Sequence, residues 1–115
     1  MVFIILLRIV QKAIEKPLLY QGRKFDVRVW VLITPHLEIY FYNTPYIRTS
    51  SNAYNIDSMQ NEIHLTNNTQ QKQLTEYSKY EEGNTLPFYD SLLAFLRESH
   101  PDPKQILDTA VGRMK

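Results

Sequence analysis

The sequence predicts an α+β fold in which an antiparallel sheet is followed by C-terminal helices. Two strand-forming runs, 24–33 and 37–42, flank a Pro-containing turn, as is typical of an antiparallel pair. Helical spacing is found only near the C-terminus, where apolar residues recur at i, i+4, i+7 and i+8 from Phe88. A length of 115 residues allows one domain at most.

The first predicted element is a buried strand that runs from Met1 to about Lys12. Residues 1–10 are almost continuously apolar. A signal peptide would have a basic n-region and a small-residue cleavage site, and the sequence shows neither. A membrane-spanning helix would need about 20 apolar residues, whereas Arg8 and Lys12 interrupt this run early.

The central predicted strand covers 24–33 and follows a turn that contains Gly22. Alternate residues of a strand share a face, so Lys24, Asp26 and Arg28 are expected to point the same way, about 7 Å apart. The opposite face is expected to meet the core. Its residues are Phe25, Val27, Val29 and Val31.

The row of Lys24, Asp26 and Arg28 places one anion between two cations. Cations bind phosphate or carboxylate oxygens, and a carboxylate accepts a hydrogen bond from a hydroxyl. The row therefore suits a polyanionic ligand that also carries a hydroxyl. A solvated strand face with alternating charges is the open alternative. Arg48, at the end of a later predicted strand, would add a third cation to the same face.

The middle of the chain predicts a meander. The return strand spans 37–42, and a short third strand spans 46–48. Residues 49–61 are polar and are predicted to form a loop, with a helical turn between 51 and 58. Residues 63–67 are predicted to be a short strand or an extended segment.

The last part of the chain changes character twice. Residues 68–84 are polar with few apolar anchors, which predicts a mobile segment. The helix that begins near Phe88 should end before Pro101, and a second, weaker helix is predicted between Lys104 and Met114.

Composition excludes several classes of function. A net charge of +1 creates no overall field toward nucleic acid or membrane, so neither is expected as a partner. The absence of cysteine removes thiol catalysis, disulfides and cysteine-ligated zinc. The three histidines are far apart and predict no metal site. The three glycines form no phosphate-binding loop.

Several blocks together carry a family resemblance. They are Gln11–Leu19, Gly22–Val31, Tyr46–Ser50, His64–Asn68, Gln71–Lys72 and Tyr77–Asn84. Their order and spacing resemble the tubulin tyrosine ligase-like family, most strongly over residues 9–96. The Lys-Tyr-Glu-Glu-Gly-Asn block is more similar to the tyrosine ligase and the glycylases than to the glutamylases.

The resemblance implies that residues 1–115 are part of an ATP-grasp domain. Enzymes of this family use ATP and Mg²⁺ to phosphorylate a carboxylate, and the amine of a free amino acid then displaces the phosphate. The acceptor is a carboxylate on the acidic tail of tubulin. A location in the cytoplasm, at the microtubule cytoskeleton or in cilia, is implied with it.

The same resemblance assigns roles to individual residues. Arg28 and Arg48 resemble the catalytic cations that hold the acceptor carboxylate and the transferring phosphate. Asp26 resembles the acceptor for a ribose hydroxyl, and Lys24 a further nucleotide contact. The other nucleotide-binding positions are an adenine-bordering hinge and a polar pair in the cleft. They are Gln11, Lys12 and Ile14, and then Thr66 and Asn67.

The chain departs from the family pattern in two ways. Ala13 stands where the family usually has an aromatic residue. The family's phosphate loop and metal-binding residues are expected outside this chain, which predicts an incomplete copy that is inactive in isolation. A non-catalytic module that binds tubulin tails, a degenerate pseudoenzyme and an unrelated α+β domain remain alternatives. Which amino acid is added, and to which tubulin, stays open.

Overall fold

A computed structural model describes residues 10, 12–73 and 84–115. It confirms the α+β fold, with an antiparallel sheet and C-terminal helices. The predicted buried strand from Met1 to Lys12 lies outside these residues except for Val10 and Lys12, where the prediction is wrong because both are exposed and neither is in a strand. The Tyr77–Gly83 part of the resemblance also lies outside. In chain order the elements are β1 (Leu19–Tyr20), β2 (Arg23–Arg28), β3 (Val31–Ile33), β4 (Ile39–Phe41), β5 (Tyr46–Ala53), α1 (Asn61–His64), α2 (Asn68–Gln71), β6 (Thr85–Pro87), α3 (Phe88–Leu96) and α4 (Pro103–Met114).

The main sheet has four strands in the order β1-β2-β5-β6, and every neighbouring pair is antiparallel. The predicted turn at Gly22 joins β1 to β2. Gln21 and Gly22 have φ values of 49° and 75°. Positive φ at both positions is the geometry of tight hairpin turns, and glycine adopts it without a steric penalty.

The prediction of one continuous strand over 24–33 is wrong. The strand is broken after Arg28, because β2 pairs with β5 whereas β3 pairs only with β4, in a separate two-stranded hairpin. Phe25 and Val27 pack against the core as predicted. Val31 belongs to the hairpin and is half exposed, so its predicted place in the core is wrong. The predicted return strand is confirmed as β4, although it is shorter.

The third strand is longer than predicted. β5 continues through Ala53, so the predicted loop at residue 49 and the helical turn after 51 are wrong at this point. Thr49, Ser50 and Ser51 are almost fully buried. Polar side chains and backbone groups surround them, so their hydroxyl and backbone groups are hydrogen-bonded in the interior. The polar composition of residues 49–53 is therefore compatible with an interior strand, which the sequence did not predict.

The segment after β5 is helical. Residues 63–67 were predicted to be extended, but Ile63 and His64 belong to α1. Residues 68–71 form α2, and the carboxamide of Asn67 caps it by accepting a hydrogen bond from the Thr69 backbone N–H at 3.0 Å. Residues 68–71, within the segment predicted to be mobile, therefore form a capped helix.

The core lies between the main sheet and the two longer helices. Ile47 of β5 is fully buried at its centre, and Phe88, Leu92 and Leu96 project from α3 at helical spacing. α4 confirms the predicted second helix and adds Leu107 and Val111 to the core. Among the helices of the described residues, none has the length and apolar character needed to cross a membrane.

Candidate functional site

The candidate site lies on the face of the sheet that points away from the core. Asp26 of β2 is directly opposite Arg48 of β5, and Arg28 is opposite Tyr46. Opposed residues of an antiparallel pair share a face. The pairing of β2 with β5 therefore brings together three predicted site residues from two distant blocks of sequence.

Asp26 binds both arginines. Arg48 donates from Nε to Asp26 Oδ1 at 3.1 Å and from Nη2 to Oδ2 at 2.7 Å, which is a two-point pair. Arg28 Nε lies 3.1 Å from Asp26 Oδ2. One carboxylate between two guanidinium groups leaves a net positive charge. We call Asp26, Arg28 and Arg48 the cation cluster.

The cluster is buried at one end and open at the other. The Arg48 side chain is only 10% exposed, whereas that of Arg28 is 46% exposed. The hydrogen bond from Arg48 to Asp26 raises the pKa of Arg48, and burial opposes this only in part. Asp26 contacts the Nε atoms of both Arg28 and Arg48. Within the described residues, Nη1 of Arg48 and both Nη groups of Arg28 are left for a ligand.

A small cavity of about 120 Å³ adjoins the cluster. It is lined by Arg28, Val29, Trp30, Tyr46 and Arg48. A volume of this size holds roughly four water molecules, or one short acidic side chain. Trp30 and Tyr46 were not among the predicted site residues. Trp30 follows Arg28 by two positions, so strand alternation could have indicated it, whereas the place of Tyr46 depends on the register between strands.

The comparison with protein families decides the relationship. A model of the tubulin-tyrosine ligase family matches residues 7–100. The chain belongs to this family. Tubulin glycylase 3C of Tetrahymena thermophila is 38% identical over 95 residues, which is 78% of this chain and 9% of that protein.

Other relatives are similar to shorter parts of the chain. Tubulin monoglycylase TTLL3 of Homo sapiens is 46% identical over 68 residues, 57% of this chain and 9% of that protein. Protein monoglycylase TTLL8 of Homo sapiens is also 46% identical over 68 residues, 57% of this chain and 8% of that protein. The chain therefore spans less than a tenth of the length of these tubulin-tyrosine ligase family members.

The remaining residues with roles implied by this family lie at different places. Lys24 lies two positions before Asp26 and is half-buried, at the register shift between Arg23 and Phe25 where the regular pairing of β2 with β5 is interrupted. Lys12 and Ile14 are exposed ahead of β1, and Thr66 is buried between α1 and α2. The described contacts join neither Thr66, Asn67, Lys12 nor Ile14 to the cation cluster. Gln11 lies outside the described residues.

A polar network beneath the site was also missed by sequence reasoning. Arg23 is 1% exposed, and its Nη1 donates to Thr49 Oγ1 at 3.2 Å. Asn84 Nδ2 donates to the Thr49 carbonyl at 2.9 Å and to Ser51 Oγ at 3.1 Å. Gln71 accepts from the Ser51 backbone N–H at 2.8 Å. These bonds hold β5, the strand that carries Arg48, from its other side.

Metal-ligating side chains do not cluster in the described residues. Across 12–73 and 84–115, His, Asp and Glu side chains nowhere gather in a group of three that could hold an ion. Asp26 is the one carboxylate of the cation cluster, and its oxygens already accept two hydrogen bonds from Arg48 and form an ion pair with Arg28. The cluster therefore favours an anion over a cation.

Proposed function

We propose that this chain forms the acceptor-binding wall of an ATP-dependent ligase that joins glycine to a glutamate carboxylate on an acidic tubulin tail. One observation carries the proposal: Asp26 holds Arg28 and Arg48 side by side at the edge of a 120 Å³ cavity, with net positive charge. The family's ligase chemistry supports this reading, and the names of the relatives supply tubulin and glycine.

The cluster suits a carboxylate for geometric reasons. A guanidinium group presents parallel N–H donors at the spacing of two carboxylate oxygens. Asp26 is bound through Nε of each arginine and Nη2 of Arg48, and both arginines also line the cavity. A glutamate side chain would enter there and bring one negative charge to a cluster with one surplus positive charge. The same arginines would stabilise the charge on a phosphorylated acceptor.

ATP would supply the phosphoryl group that activates the acceptor carboxylate. Of the residues assigned to it, Lys24 would contact a phosphate and Asp26 a ribose hydroxyl. A carboxylate has about four acceptor positions, so the two hydrogen bonds from Arg48 and the ion pair of Oδ2 with Arg28 leave Asp26 an acceptor position on Oδ1. The side-chain oxygen of Asn67 accepts the hydrogen bond that caps α2, so Asn67 would donate to a ligand through its NH₂ group. We place the magnesium ligands outside the described residues.

The carboxylate site is tested by peptide binding to the 115-residue chain. Arg48→Lys keeps the charge but cannot reproduce the two-point pair with Asp26, so we expect affinity for a glutamate-rich tail peptide to fall by about 1–3 kcal/mol. Arg97→Lys, at an exposed position beyond α3, is the matched control and should change nothing. Equal affinity of the wild-type chain and Arg48→Lys, measured by calorimetry, would refute the assignment.

The ligase role needs a second experiment, because a non-catalytic tail-binding module would also pass the first. We propose a chimera in which this segment replaces the matching segment of Tetrahymena glycylase 3C. Incorporation of labelled glycine into microtubules, lost in the Arg48→Lys chimera, would support a ligase wall. Tail binding without incorporation would support the non-catalytic alternative. The 115-residue chain by itself should bind the tail peptide and incorporate no glycine.

A further inference from the structure

We infer that the acceptor peptide is recognised in two parts, its carboxylate in the cation cluster and a nearby apolar side chain on the β3–β4 hairpin. This inference rests on the proposed function and adds a feature of the substrate: a large apolar residue close to the modified glutamate. The evidence is an exposed apolar groove that shares a wall with the carboxylate cavity.

The groove is formed mainly by one face of the hairpin. Leu32 pairs with Tyr40 across the two strands, and the Tyr42 backbone N–H donates to the Trp30 carbonyl at 2.9 Å. Directly paired residues share a face, and so do residues two positions apart. Trp30, Leu32, Tyr40 and Tyr42 therefore lie on the same face. They line a cavity of about 390 Å³, to which Val31 and Phe41 also contribute.

The exposure of this face is high. Trp30, Leu32, Tyr40 and Tyr42 are 64%, 63%, 56% and 59% exposed. Isolated apolar residues on a surface are ordinary, but a contiguous exposed apolar patch marks a binding surface. A lone two-stranded hairpin is also marginally stable in water. A ligand that covers this face would bury apolar area and stabilise the hairpin together.

Trp30 makes the groove and the carboxylate site continuous. Trp30 lines the 120 Å³ cavity together with Arg28 and Arg48, and it also lines the 390 Å³ groove together with Leu32 and Tyr40. Arg28 and Leu32 are four residues apart with a break in the strand between them, so their Cα atoms lie at most about 14 Å apart. An extended peptide covers that distance in roughly four residues. The apolar residue is therefore expected two to four positions from the acceptor glutamate.

Charge favours an acidic peptide over a second copy of this chain as the occupant. A symmetric dimer through this face would use the same surface on both copies and would bring two net-positive clusters to one interface. A peptide with a glutamate beside an apolar residue complements both parts of the surface. We therefore commit to an acidic peptide that carries a phenylalanine-sized side chain.

The test uses Trp30 itself, which is the single tryptophan of the chain. Three peptides are titrated into the 115-residue chain while tryptophan emission is followed. The first is a glutamate-rich peptide with phenylalanine three positions from a glutamate, and the second has serine in place of the phenylalanine. The third keeps the phenylalanine but has every glutamate replaced by glutamine. We expect the first to bind about tenfold more tightly than the second. It should also move the emission to shorter wavelength.

Two variants locate the effect. Leu32 and Ile33 are neighbours with nearly equal exposure, 63% and 61%, but Leu32 lines the groove whereas Ile33 is on the other face. Leu32→Ser should reduce the tenfold preference for phenylalanine to less than about threefold, and Ile33→Ser should leave it unchanged. Both positions are exposed, so folding should be retained in both variants.

The outcomes separate this inference from the proposed function. Glutamate-dependent binding with equal affinity for the phenylalanine and serine peptides overturns the inference and leaves the carboxylate site intact. Equal binding of the glutamine peptide, or binding of none of the three, overturns both. A dimer by sedimentation that Leu32→Ser abolishes and Ile33→Ser does not assigns the face to a second copy, which also overturns the inference.

Discussion

Replacement of Asp26 by asparagine tests whether the cation cluster is built around this carboxylate. Asparagine has the same shape, but its single carbonyl oxygen cannot accept the hydrogen bonds that now reach both Oδ1 and Oδ2. At least one charged hydrogen bond is lost, and an NH₂ donor then faces a guanidinium donor. The loss of hydrogen bonding is most costly for Arg48, because its side chain is only 10% exposed and water cannot replace the lost bond.

The expected cost follows from this geometry. A charged hydrogen bond contributes about 1.5–3 kcal/mol, and the half-exposed Arg28 contact contributes at the low end because water screens it. We expect Asp26→Asn to lower the free energy of unfolding by about 2–3 kcal/mol. This corresponds to roughly 10 °C or more in melting temperature for a domain of this size.

The assay is urea unfolding followed by far-UV circular dichroism. The matched control is Asp108→Asn, which removes a carboxylate from the exposed pair of Lys104 and Asp108 on α4 and should leave the midpoint nearly unchanged. The double variant Asp26→Asn/Arg48→Met should be more stable than Asp26→Asn alone, because it also removes the buried charge left without its partner. Equal shifts for Asp26→Asn and Asp108→Asn would refute the reasoning.

Two further predictions concern the segment that holds β5. Gln71→Leu should destabilise the fold by about 3 kcal/mol, because the buried carboxamide bonds the Ser51 N–H and the carbonyls of Glu62 and Leu65. Urea unfolding of Gln71→Leu beside the exposed control Gln73→Leu measures this loss, and equal midpoints would contradict it. Asn67→Ala should lower the free energy of unfolding by about 1 kcal/mol because it removes the α2 cap, whereas Asn67→Asp should keep the cap and the stability. A loss of the same size in Asn67→Asp would argue against capping.

Local patterns in the sequence predicted the parts of the fold that depend on neighbouring residues. The alternation from Phe25 to Arg28, the turn at Gly22 and the helical spacing after Phe88 were all confirmed, because each is decided by residues within a few positions. The family resemblance was likewise readable from blocks of residues in order, and it is confirmed over residues 7–100.

The tertiary structure decided everything that depends on which strands pair. Residues 49–53 look like a polar loop, but their partners, Asn84 and Gln71, come from distant segments and make an interior strand possible. The break after Arg28 arises because β2 and β3 join different sheets.

The candidate site shows the same division. The row of Lys24, Asp26 and Arg28 was visible in the sequence, because strand alternation is local. The two-point pair with Arg48, the place of Tyr46 and the groove beside Trp30 were not visible, because register between strands is set by long-range hydrogen bonds. Sequence alone thus determined which charges this protein carries on one strand, and tertiary pairing determined which of them meet.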